Sequence, residues 1–157
     1  MNSIGSFYYS ESKDSPDAHK NGIYGTKVSG QYEAYGPSDK SGFIIGIARR
    51  ADIENGGNGD LIANMNVSDF YNNGYSMSNK NPGDIICNER GDIAIYLGLL
   101  DKGIKGYKLM NSNSITSVSQ NKRGYYIIEC SKEYGGACVR NISSSELQKY
   151  TRCYKLY

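Results

Sequence analysis

The stretch Pro82-Gly83-Asp84-Ile85-Ile86-Cys87-Asn88-Glu89-Arg90-Gly91-Asp92-Ile93-Ala94-Ile95-Tyr96-Leu97-Gly98-Leu99-Leu100 decides how this chain folds. Two apolar runs, Ile85–Cys87 and Ile93–Leu97, flank a polar segment, Glu89 to Asp92. Strand formers on either side of a glycine that tolerates positive φ are the signature of a β-hairpin. The second run is apolar at both odd and even positions, so both faces of its sheet are expected to be covered. Gly98 interrupts the pattern.

Outward from the hairpin, short strand-forming segments recur about every ten residues. They are Tyr107–Met110, Ile115–Val118 and Tyr125–Cys130, separated by turns rich in Gly, Asn and Ser. This is the spacing of an antiparallel meander or a small barrel. Ser143-Ser144-Ser145-Glu146 fits a capping box, and Leu147, Tyr150 and Tyr154 fall on one helical face, which predicts a C-terminal helix of two to three turns. Alternation over Thr151 to Tyr157 fits a terminal strand instead.

Upstream, Phe7–Tyr9 reads as a short strand. Phe43-Ile44-Ile45-Gly46-Ile47-Ala48 reads as a second strand, entered through a turn over Pro37–Gly42. Ser68 is placed to cap a brief helical turn that Asn72-Asn73-Gly74 would stop. The fold class expected is mainly β, a β-rich α+β arrangement: an antiparallel meander, SH3-like small barrel or sandwich with a short C-terminal helix. A length of 157 residues suits one domain. Within it, residues 1–75 form a Gly/Asn-rich part with short strands, and residues 76–157 a hairpin-centred core with a basic C-terminal third.

Composition agrees. Nineteen glycines and 15 tyrosines, with no tryptophan, favour strands and turns over long helices. No run of 18 apolar residues exists, so no membrane span is expected. The first residues lack a basic, then apolar, leader pattern. Four irregularly spaced cysteines, Cys87, Cys130, Cys138 and Cys153, then read as reduced thiols in a cytoplasmic protein.

The net charge of +2 hides an asymmetry. Residues 1–101 carry 8 basic and 13 acidic groups, a net of −5, whereas residues 102–157 carry 10 and 3, a net of +7. Such a split either marks a polyanion site or lets the two halves attract each other.

The chemistry-bearing residues are few. His19 is the only histidine and sits among polar residues, so no Ser/His or Cys/His pair is readable. Asp52 to Asp60 resembles a calcium loop at its first two ligand positions, but Ala63 stands where a bidentate glutamate is needed. A flexible Gly/Asn loop is expected there. Cys130 and Cys138 lack the Cys-x-x-Cys knuckle of a zinc site. No metal and no cofactor are expected.

Two family resemblances rest on the hairpin. Gly83-Asp84-Ile85-Ile86, Gly91 and Ile93–Leu97 resemble the KOW type of SH3-like barrel, which binds nucleic acid or nucleic-acid-associated proteins and also occurs in some phage host-takeover proteins. Pro82-Gly83-Asp84-Ile85-Ile86 and Asp92-Ile93-Ala94-Ile95-Tyr96-Leu97-Gly98 are similar to the NlpC/P60 cysteine peptidases. In that resemblance Asp92 occupies the catalytic histidine's place, and no cysteine precedes Cys87 to serve as nucleophile, which implies an inactive copy.

The expectation is therefore a non-enzymatic β protein that binds nucleic acid or a nucleic-acid-bound partner. Lys102, Lys105, Lys108, Lys122, Arg123, Lys132, Arg140, Lys149 and Arg152 would neutralise phosphates, and Tyr107, Tyr125 and Tyr126 would stack on bases if exposed. A viral or mobile-element structural, assembly or inhibitor protein acting through protein contacts is the second expectation. A degenerate NlpC/P60-like hydrolase is the third.

Overall fold

The computed structural model describes residues 7–9, 27–28, 31–32, 36–38, 40–59, 62–63, 65–102, 107–111, 114–118, 122–133 and 136–156. His19 and Lys105 lie outside them.

Twelve strands, three α-helices and a 3-10 turn at Met77–Asn79 are present among the described residues: β1 (Phe7–Tyr9), β2 (Lys27–Val28), β3 (Gln31–Tyr32), β4 (Gly36–Ser38), α1 (Lys40–Glu54), α2 (Val67–Asn72), β5 (Tyr75–Ser76), β6 (Ile85–Cys87), β7 (Ile93–Leu100), β8 (Tyr107–Asn111), β9 (Ser114–Val118), β10 (Gly124–Ser131), β11 (Gly136–Ile142), α3 (Ser144–Leu147) and β12 (Arg152–Tyr154). Eight strands form an open sheet in the order β4-β1-β11-β10-β7-β6-β12-β5. Every neighbouring pair is antiparallel except β1 with β4. Two ribbons, β2-β3 and β8-β9, stand apart from this ladder. The fold is mainly β.

The hairpin forms as its sequence directs. β6 pairs with β7 from Cys87↔Ile93 to Ile85↔Ile95. Gly91 closes the turn at φ 88°, a region that L side chains disfavour. Gly98 takes φ 96° where the β7–β10 register slips: Tyr126 faces Gly98 but Ile127 faces Tyr96. Leu97 is the extra residue, so the interruption is a β-bulge inside a strand that continues to Leu100.

Both faces of the sheet are covered, as the double apolar parity of β7 requires. On the first face Ile85, Cys87, Ile93, Ile128 and Cys130 pack with Phe43, Ile44, Ile45 and Ala48 of α1 and Phe70 of α2. On the second face Ile86, Ala94, Tyr96, Ile127 and Ile142 pack with Leu147 and Tyr150. Full burial of each of the isoleucine, leucine and phenylalanine side chains contributes about 1.5–3 kcal/mol.

Three expectations need correction. The run Phe43–Ala48 is the buried face of a 15-residue helix, not a strand. A short continuous apolar run fits either element, and here it is long enough to cover the sheet as a helix. The turn expected over Pro37–Gly42 is instead the end of β4 and the start of α1. The C-terminal helix is a single turn: Ser143 caps it by accepting the Glu146 N–H at 3.1 Å, but Thr151 then donates to the Cys87 carbonyl at 3.1 Å and Arg152–Tyr154 enter the ladder between β6 and β5. The alternation over residues 151–157 was the better signal. β11 had no counterpart in the sequence reading. α2 is capped by Asn66 through a reciprocal box with Asp69, two residues before the cap expected at Ser68, and it stops at Asn72-Asn73-Gly74 as expected.

No helix among the described residues is long and apolar enough to cross a membrane.

Candidate functional site

The turn between β6 and β7 is built to hold one carboxylate. Asn88 is 4% exposed. Its Oδ1 accepts the backbone N–H groups of Arg90 and Asp92, both at 3.0 Å, and its Nδ2 donates to Asp92 Oδ2 at 3.0 Å. The main chain closes the same turn, Asn88 N–H donating to the Asp92 carbonyl at 3.0 Å. The asparagine amide thus fixes both the backbone and the side chain of Asp92.

The other carboxylate oxygen faces α1. Lys40, the first residue of that helix, donates from Nζ to Asp92 Oδ1 at 2.9 Å and to the Gly91 carbonyl at 3.1 Å. The two side chains are 33% and 48% exposed, so the pair sits at the rim of the fold. Partial burial pushes the Asp92 carboxyl upward, but the hydrogen bonds from Asn88 and Lys40 and the nearby positive charges of Lys40 and Arg140 outweigh it. Its pKa lies below the ordinary value.

A second charged group occupies the second face of the sheet. Arg140 of β11 donates from Nε to Glu129 Oε1 of β10 at 2.5 Å and pairs through Nη1 with Glu146 Oε1 of α3 at 2.8 Å. Arg140 and Glu129 are only 16% and 12% exposed. Burial pushes the Glu129 carboxyl up, and Arg140 only partly offsets this. Glu129 and Glu146 in turn hold the Arg140 guanidinium more firmly protonated than usual, against the effect of burial. Tyr150 packs nearby, its phenol pushed up by burial and then by the charge of Glu129.

This arrangement contains donors and acceptors but no nucleophile with a base. An ammonium has no free lone pair. A carboxylate with one oxygen on Lys40 and the other on Asn88 is a poor proton acceptor. All four cysteines are free and buried. Burial pushes the Cys87 thiol to about 11 and those of Cys138 and Cys153 to about 12, away from the reactive thiolate. Among the described residues no group of three or more His, Cys, Asp or Glu side chains is placed to hold a metal. Asp52 does not open toward solvent as a calcium ligand would. Its Oδ2 accepts the Gly59 N–H at 2.8 Å and so folds the Gly/Asn loop back on α1.

Among the described residues, the basic side chains named from sequence do not gather on one surface. Lys102, Lys122 and Arg123 are exposed and meet at one corner, because Gly124 of β10 pairs with Leu100 of β7. Arg123 there contacts Asp101 at 3.3 Å, with both side chains mostly exposed. Lys132 is exposed beyond the far end of β10. Arg140 points into the ion-pair group on the second face. Lys149 is exposed after α3, and Arg152 lies 5.5 Å from the Tyr71 ring centre. Lys108 and Tyr107 belong to β8. Tyr126 is fully buried and donates its hydroxyl to the Lys122 carbonyl at 2.6 Å, and Tyr125 is half-buried.

Lys40, Asn88, Glu129 and Glu146 were not singled out by sequence as site residues. The signal available was the Asn88-x-x-x-Asp92 spacing across the turn, which suits an amide that bonds both the backbone and the carboxylate. Comparison with known protein families, with characterised proteins and with solved structures finds no match.

Proposed function

We propose that this chain is a non-enzymatic binding protein on a frame like that of the NlpC/P60 cysteine peptidases, with an ion pair standing where nucleophile and base would be. One observation carries this reading: Lys40 Nζ meets Asp92 Oδ1 at 2.9 Å. The resemblance gives position 92 to the catalytic histidine. A thiol and an imidazole cooperate only within hydrogen-bond reach. Apart from Asn88 of the same turn, the upstream side chain that reaches position 92 among the described residues is Lys40, at the start of α1, so Lys40 is taken as the geometric counterpart of the missing cysteine. An ammonium and a carboxylate hold each other there, tie α1 to the hairpin and leave no group to attack a carbonyl. The molecule then acts by binding.

The test is to put the chemistry back. In the double variant Lys40→Cys/Asp92→His, a thiol and an imidazole should meet, and iodoacetamide should alkylate Cys at position 40 near pH 6 about tenfold faster than in Lys40→Cys alone. Peptide mapping separates this site from the four buried native thiols. Equal rates in the two variants would remove the reading.

A second reading, contact with nucleic acid, is favoured by the exposed corner of Lys102, Lys122 and Arg123. With about three phosphate contacts, affinity should fall about tenfold to a hundredfold between 50 and 200 mM salt. The variant Lys122→Ala/Arg123→Ala should lower the salt slope by about one to two units. Filter binding that shows no retention of single-stranded or duplex DNA or RNA at 50 mM salt excludes it.

A further inference from the structure

The outer edge of the sheet at β5 carries two clefts that meet at Ser76. One, of about 430 Å³, is lined by Tyr75, Ser76, Ser78 and Lys155. The other, also about 430 Å³, runs from Ser76, Met77 and Lys80 across Tyr125 to Leu147 and Tyr150 under α3. These volumes fall in the range of small ligand sites. Each cleft has one lysine, and neither has a carboxylate among its described lining residues. Lys80 lies 5.5 Å from the Tyr96 ring centre, and no ion pair is formed by Lys80 or Lys155 among the described residues. β5 pairs with β12 on one side only and is the last strand of the sheet. Tyr75 is 67% exposed there, the most exposed large hydrophobic side chain among the described residues.

We infer that this edge binds an extended acidic peptide, which adds to β5 as a further strand and places carboxylates on Lys80 and Lys155. A sheet edge offers both main-chain donors and acceptors, which another backbone matches, whereas a phosphodiester supplies acceptors alone. Two lysines in two clefts call for two anionic groups, which a single C-terminal carboxylate cannot supply but acidic side chains can. Tyr75 is in register with Cys153 and Ile86, on the face that also holds Tyr96 beneath Lys80, and residues two apart in an extended chain share a face, so alternate acidic residues reach both clefts. β5 has only two residues, too few for pairing to suffice alone, so the lysines and the tyrosine-lined floor supply the selectivity. The inference does not depend on how the Lys40–Asp92 pair is read.

The probe is a fluorescein-labelled, C-terminally amidated peptide of about ten residues, in which glutamate alternates with threonine. Fluorescence anisotropy should show binding that weakens about tenfold in Lys80→Gln/Lys155→Gln, as expected for two ion pairs, and is unchanged in Lys102→Gln. A glutamine-for-glutamate peptide should bind about tenfold more weakly, and an acidic peptide N-methylated at alternate residues should lose binding. Near-UV circular dichroism confirms that the variants are folded. Absence of binding by the acidic peptide overturns the inference, as does equal binding by the glutamine or N-methylated peptide. Indifference to the lysine substitutions does so too. Displacement of the peptide from the β5 edge by oligothymidylate at lower concentration would assign the edge to nucleic acid instead.

Discussion

Lys40 and Asp92 are 52 residues apart in the chain and 2.9 Å apart in space. The contact ties the start of α1, which covers the first face of the sheet, to the residue that leads into β7. Both side chains are partly exposed, so solvent screening limits the pair to about 0.5–1 kcal/mol. It is therefore a weak reason for the fold to hold together. Its weight lies in where it sits and, under the proposed function, in the chemistry it would replace.

Arg140 is expected to matter far more for stability. Arg140→Met strands the Glu129 carboxylate in a site that is only 12% exposed, a loss on the order of 3–5 kcal/mol. The loss should depend on pH. The folded-state pKa of Glu129 is already raised, and removing its partner raises it further. The folded form then holds the proton more tightly than the unfolded chain. Stability should fall as pH climbs from about 4.3, the ordinary glutamate value, to the raised folded value. Urea melts between pH 4 and 8 check this. A small, pH-independent change would contradict it.

The hairpin turn gives a second prediction. A Cβ at Gly91 would meet nothing within 4 Å, yet φ is +88°. Gly91→Val should therefore cost about 1–3 kcal/mol through local backbone strain rather than a clash of the added Cβ with its surroundings. Glu89 is exposed in the same turn, and Glu89→Ala should stay within about 0.5 kcal/mol. Equal, small effects in urea melts would remove the positive-φ assignment.

The thiols supply a third. All four are free and buried. Non-reducing alkylation should modify all four after unfolding and proceed slowly in the native protein, because burial raises the Cys87, Cys138 and Cys153 thiols. Rapid native labelling of any of these three would contradict the packing described.

What could be read from sequence follows from how local each signal is. The hairpin was legible because its strands, its turn and its glycine lie within 19 consecutive residues, and its apolar parity announced the two covered faces. Helix α1 was not. Gly42 and Gly46 lower helix propensity, and its Phe-Ile-Ile run is continuous because the helix is buried along that stretch, which removes the periodicity that would reveal it. Once Pro37–Gly42 was read as a turn, Lys40 had no reason to be noticed. The end of α3 was misjudged because a long-range bond, Thr151 N–H to the Cys87 carbonyl, draws the chain into the ladder. Of the Lys40–Asn88–Asp92 group, only Asp92 was singled out, through its place in the hairpin. Its partner comes from another element, and sequence spacing carries no trace of that contact.

The proposed function requires Lys40 and Asp92 to be paired in solution, and the titration of the Asp92 carboxyl carbon by NMR tests this most directly. A carboxyl whose folded pKa is depressed contributes stability above its ordinary value, about 3.9, and loses it as pH falls through the lowered one. In the native chain Asp92 should titrate below that ordinary value, and in Lys40→Met its midpoint should move up. Identical midpoints in the two proteins would mean that Lys40 does not hold Asp92, and the ion pair at the heart of the proposed function would be gone.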